Sequence, residues 1–152
     1  VSAITIACVA HVTATDLYQV VASEWTTDHR KFAFGINSSE QPYIHVSPDG
    51  TNPSGALKST DPTGRSGAVL VVGTHPGEAG NQVLRTNMAQ VDTTSVTDMF
   101  TSGTSDFRIG SVVGVYKFAD DICEILIFDR VLTDPEIGDL ETYLNIKYKV
   151  VV

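Results

Sequence analysis

The sequence predicts an all-β sandwich closed by one C-terminal helix, on three observations. Short runs rich in β-branched and aromatic residues alternate with turn formers along most of the 152 residues. One run, "GAVLVVGTH" (67–75), is apolar without alternation, as a strand buried on both faces is. Helical spacing of apolar residues is convincing only after Thr133.

Taken in order, "AITIACVAHV" (3–12) alternates, with Ile4, Ile6, Cys8 and Ala10 on one side. "LYQVVAS" (17–23) follows a "TATD" turn. "KFAFGIN" (31–37) puts Phe32, Phe34 and Ile36 on one face. After the turn "SSEQP", "YIHVS" (43–47) sets Ile44 and Val46 opposite Tyr43 and His45. From "PDGTNPSG" (48–55) to about Gly67 the chain reads as a long polar loop, or a loop holding one poor strand near Ala56–Lys58. Beyond 67–75, "PGEAGN" turns the chain. "QVLRTNMAQVDTT" (82–94) then reads as a hairpin with its tip near Asn87. "SDFRIGS" (105–111) is a short strand and "DICEILIFD" (121–129) the last, making about nine. The helix is predicted over about 134–147. Thr133 is its N-cap, Glu136 follows at capping-box spacing, and Pro135 sits in the first turn. Ile137, Leu140 and Leu144 form its apolar face, with Tyr148 one turn beyond. Gly138 weakens it by about 1 kcal/mol relative to Ala, so docking must hold it.

Hydrophobic residues make up 42% and charged residues 18%, the balance of one globular domain over 1–152. Because the chain lacks an initiator Met, it is expected to be the C-terminal part of something longer. No apolar run approaches the roughly 20 residues of a membrane span. The formal net charge is -8 and the ten basic residues are scattered. Nucleic acid and anionic membranes are therefore unfavourable partners. Cys8 and Cys123 share parity with core-facing isoleucines. They are either two buried thiols or one bridge between neighbouring strands.

The carboxylates of "DDICEILIFD" raise the question of glycoside hydrolysis. That chemistry needs two carboxyl groups roughly 5–9.5 Å apart on one face. Glu124 shares parity with Ile122, Leu126 and Phe128, none acidic, while Asp121 and Asp129 have the opposite parity. Glu124 therefore reads as a structural acceptor for backbone groups or for Arg108 or Arg130. Asp120 and Asp121 are weak Ca²⁺ candidates at a strand entrance, and no EF-hand spacing accompanies them. The four His lack HxxxH or HExxH spacing, and no GxSxG elbow is present. Neither a catalytic residue nor a cofactor is expected.

Aromatic residues with polar neighbours are the remaining signal, since glycan sites commonly offer such platforms. Trp25, in "SEWTTDHR", lies at a strand end beside Asp28, His29 and Arg30; Tyr43 and His45 share one strand face that reads as exposed. The alternative reading is that Trp25 merely covers the sandwich edge.

"FRIGS" (107–111) and "FADDICEILIFDRVLTDPEIGDLETYLNIKYKV" (118–150) resemble the end of laminin-G-like, concanavalin A-like jelly-roll domains. Phe118, Ile122, Glu124, Ile125, Ile127, Phe128, Arg130, Leu132, Thr133 and Glu136 carry the likeness. "ITIACVAHV", "VVASEWTTDHRKFAFGINSSEQPYIHVS" and "VLVVGTHPGEAGNQVLRTNMAQV" resemble earlier strands of that family in the right order. Asp120 replaces a usual Gly, "NMAQ" (87–90) replaces a usual "NG" turn, and the family's first strands are missing. The helix-ending variant is frequent in bacterial and bacteriophage structural proteins. The resemblance implies a non-enzymatic structural or adhesive domain at a virion surface, such as a capsid decoration, head-fibre or tail-fibre module. Its partners would be host glycans, other virion subunits or copies of itself. The alternative it implies is a carbohydrate-binding module of a secreted bacterial enzyme or cell-surface adhesin.

Overall fold

A computed structural model describes residues 3–13, 17–26, 29–51, 57–59, 66–96, 99, 103, 105–112 and 116–150. The chain is an all-β jelly-roll sandwich with one C-terminal helix. Its strands are β1 (Ile4–Thr13), β2 (Gln19–Trp25), β3 (Arg30–Ile36), β4 (Pro42–Val46) and β5 (Leu57–Lys58). They continue with β6 (Ser66–His75), β7 (Gly80–Thr86), β8 (Ala89–Val96), β9 (Phe107–Ile109) and β10 (Ile122–Phe128), and α1 (Asp134–Tyr148) closes the chain. One antiparallel sheet runs β10-β1-β6-β7-β8 and the other β5-β4-β3-β2-β9. We refer to them as the first and second sheets.

The alternations seen in sequence fill the space between the sheets. Ile4, Ile6, Cys8, Ala10 and Val12 of β1 and Val69 and Val71 of β6 meet Phe32, Phe34, Ile36, Ile44 and Val46 from the second sheet. Phe34 is 1% exposed; burying such a side chain is worth about 1.5–3 kcal/mol. Its ring needs the glycine opposite, because a Cβ on Gly73 would stand 3.0 Å from Phe34 Cε2.

β6 is apolar throughout for the expected reason. Its other face, Leu70 and Val72, joins Ala7 and Val9 under Leu132, Ile137 and Leu144. Helix α1 thus covers the outer face of the first sheet. The Thr133 N–H donates to Glu136 Oε2 at 2.8 Å, and the Thr133 hydroxyl donates to the same oxygen at 2.9 Å. Across the docked interface, buried Glu141 accepts two bonds from Arg85 of β7, at 3.0 and 2.8 Å. Thr5 Oγ1 donates to the Arg130 carbonyl and accepts from the Leu132 N–H, tying the helix entry to β1.

One expectation needs correction. Cys123 does not share the core with Cys8. The β1–β10 register shifts so that Val9 faces Glu124 and Ala10 faces Ile122. The extra residue is Cys123, a bulge that reverses side-chain parity, and Ile122 turns inward while Cys123 is exposed. Both thiols are free, and burial pushes that of Cys8 up to about 12. The hairpin tip lies at Asn87 as expected, and it forms without "NG". Asn87 and Met88 have φ of 49° and 68°, both positive as a tight two-residue hairpin turn requires. Asn87 Oδ1 is held by the Leu70 N–H at 3.0 Å.

Candidate functional site

Among the described residues, no helix lies over the outer face of the second sheet. On β3 its outward residues are Ala33 and Gly35, because Phe32, Phe34 and Ile36 take the inward positions. A side chain at Gly35 is impossible, since a Cβ would lie 2.1 Å from the Gln19 carbonyl oxygen of bulged β2. Small residues on the middle strand, flanked by large ones, leave a hollow. Tyr43 pairs with Gly35 and His45 with Ala33 on the β4 side; Val20 pairs with Gly35 on the β2 side. Tyr18, Val112 and Tyr116 wall the rest, giving a cavity of about 270 Å³ lined by these residues and Trp25.

The rings contact one another. Tyr18 meets Tyr43 edge-on with centroids 5.9 Å apart and lies 5.5 Å from Tyr116; Tyr43 lies 4.5 Å from His45. The Arg30 guanidinium rests 5.4 Å from the Trp25 ring centroid, and its Nη1 donates to the Thr51 carbonyl at 2.7 Å. Burial, assisted by Lys58, lowers the His45 pKa to about 4. Burial, with Tyr18 and Tyr116 nearby, raises that of Tyr43 above the usual phenol range. Both groups are therefore neutral at pH 7. His45 Nε2 is sealed from solvent and has no protein partner among the described residues.

Of the residues singled out in sequence, Trp25, Tyr43 and His45 come together in this cavity. Arg30 stacks behind Trp25. His29 lies in the β2–β3 turn, its N–H donating to Thr26 Oγ1 at 3.0 Å. Asp28 lies outside the described residues. The strand face shared by Tyr43 and His45 is not open as expected. Tyr43 is 3% exposed, since Tyr18 and Val112 pack over it. Tyr18, Tyr116 and Val112 were missed because they sit in connections. The signal that could have found the hollow is the small–small pair Ala33 and Gly35 alternating with three large core residues.

The acidic candidates are otherwise engaged. Glu124 Oε2 accepts from Lys147 of α1 at 3.0 Å, not from Arg108 or Arg130, which bond to Asp106 and Glu136. That bond from Lys147 lowers the Glu124 pKa, opposite to the raised value a general acid needs. Asp120 accepts from the Thr13 N–H at 3.0 Å, the Thr13 hydroxyl at 2.7 Å and Gln19 Nε2 at 3.3 Å. Burial opposes ionisation of Asp120, and these bonds outweigh it to lower its pKa. The Asp121 carbonyl accepts from the His11 N–H at 2.8 Å. Among the described residues no three His, Cys, Asp or Glu gather as a metal would require, so the Ca²⁺ candidates lack a built site.

By sequence the chain matches no family model and no curated protein. By structure it resembles glycan-binding domains. The CBM40 of the Ruminococcus gnavus IT-sialidase superposes with a TM-score of 0.75 at 15% identity, over 91% of this chain and 82% of that one. The same domain bound to α2,3 sialyllactose gives a TM-score of 0.74 at 16% identity, over the same shares of the two chains. The binding domain of botulinum neurotoxin serotype D/C gives 0.69 at 15% identity, over 93% of this chain and 36% of that one. At such identities the likeness establishes the fold. The structures named here are not phage proteins, and they lend the virion expectation no support.

Proposed function

We propose that this chain is a non-catalytic carbohydrate-binding module that takes a glycan into the aromatic cavity of its second sheet. It would serve as one unit of a larger secreted or cell-surface protein. The observation that carries this is the cavity itself: Trp25, Tyr18, Tyr43 and Tyr116 ring a hollow on the one sheet face the helix leaves uncovered. The similar structures lend support, since the Ruminococcus gnavus domain superposes in a form bound to α2,3 sialyllactose. A lone Glu124 tied to Lys147 supports the absence of hydrolysis.

A glycan array read with the purified chain tests it. Binding should be lost in Trp25→Ala, and in Ala33→Leu, which fills the hollow from its floor. Ala33→Leu should leave the melting temperature nearly unchanged, because the added methyl groups occupy existing space. Unchanged glycan binding in both variants would reduce Trp25 to an edge-packing residue and the cavity to a packing defect.

A further inference from the structure

Resting on that reading, we infer that the cavity accepts a single uncharged sugar ring and discriminates against sialyl and other acidic glycans. None of the eight lining residues, Tyr18, Val20, Trp25, Ala33, Tyr43, His45, Val112 and Tyr116, is Lys, Arg, Asp or Glu. The one wall group that ordinarily titrates near neutrality, His45, is held neutral by burial. A carboxylate pushed into such a wall would lose its water without gaining an ionic partner, an unfavourable exchange.

Two cations stand beside the cavity but outside its lining. Arg30 is turned onto the Trp25 ring and bonded to the Thr51 carbonyl. Lys58 is exposed on β5, opposite Tyr43. Reaching them would take an acidic group out of the hollow and into solvent, where screening weakens any attraction. The chain's net charge of -8 adds a repulsive background. A pyranose suits the walls better. Its C–H face is apolar and fits against aromatic rings, while its hydroxyls can meet phenols or water at the mouth, where Tyr116 is exposed. At about 270 Å³ the space falls just below the range of about 300–1,000 Å³ for small-molecule pockets. That favours one terminal ring over a run of several.

The test is calorimetric titration of the whole chain with two sets of sugars. The neutral set is glucose, galactose, mannose, N-acetylglucosamine and lactose; the acidic set is α2,3- and α2,6-sialyllactose. At least one neutral sugar should bind about tenfold or more tighter than either sialyllactose. Its affinity should be the same at low and physiological salt, and in Lys58→Gln. Sialyllactose binding as tightly or tighter would overturn the inference while leaving the glycan-binding reading intact, the more so if raised salt or Lys58→Gln weakened it. No binding by any sugar in either set would overturn both.

Discussion

The two outer faces of the sandwich are built from similar material and end differently. On the first sheet, Ala7, Val9, Leu70 and Val72 point outward and are sealed by Leu132, Ile137 and Leu144. On the second, Val20, Ala33 and Tyr43 point outward and, among the described residues, are covered by loop and strand-end residues, Tyr18, Trp25 and Val112. The first face carries medium aliphatics that interlock with a helix, and it is also anchored by the Arg85–Glu141 pair. The second sets alanine and glycine between large rings, and no aliphatic ridge fills the gap. An apolar outer face thus has two uses in one fold. Filled by the chain's own helix it contributes stability, and left hollow it offers a site.

The sharpest way to separate them is Leu144→Ala. Leu144 is 1% exposed at the centre of the helix interface. Truncation should cost about 2–5 kcal/mol by chemical denaturation, the range for a large-to-small change in a packed core. Glycan affinity of the remaining folded protein should not change. A parallel loss of affinity under native conditions would show that the faces are coupled.

The faces should also fail at different pH. His45 in the folded chain protonates only near pH 4, whereas in the unfolded chain it protonates near its ordinary 6.5. Between those values the unfolded state holds the extra proton, so stability is greatest above about 6.5 and falls as pH drops toward 4. Tyr43, Tyr18, Tyr116 and Lys58 are the titratable groups around it. On the helix side, bonds from Arg130 and Thr133 hold Glu136 down to about 2. Its contribution is lost lower, as pH falls from about 4.5 toward 2. A melting-temperature profile should therefore fall in two steps, and His45→Gln should flatten the upper one alone. An unchanged upper step in that variant would show that His45 is not held neutral by the cavity wall.

The fold was legible because burial writes itself into strand periodicity. The unbroken run at Val69–Val72 announced a sheet covered on both sides, and Thr133 to Glu136 announced the helix that covers it. Part of the candidate site was legible for the same reason, since Tyr43 and His45 share parity and Trp25 ends its strand. The rest was not. Tyr18 and Tyr116 reach the cavity from connections whose course depends on long-range packing. The bulge at Cys123 is invisible to a period-two reading, which assumes one residue opposite one residue along the whole pair. Glu124 met Lys147 because docking of α1 brought together residues 23 positions apart, which local spacing cannot show.

The smallest expected effect is the one that tests catalysis directly. Glu124→Gln keeps an acceptor for Lys147 and removes only the charge of a solvent-reachable pair. The two side chains are 19% and 45% exposed. Such pairs contribute little, so the melting temperature should move by about 1–2 °C or less, with no change in glycan binding. The residue lies on the helix side of the first sheet, beneath Lys147 and across the sandwich from the aromatic cavity. A sugar held in that cavity could not reach it. Hydrolysis of a bound glycan that disappeared in Glu124→Gln would therefore do more than revive a catalytic role for this strand. It would move the site to the helix-covered face and undo the division of labour between the two.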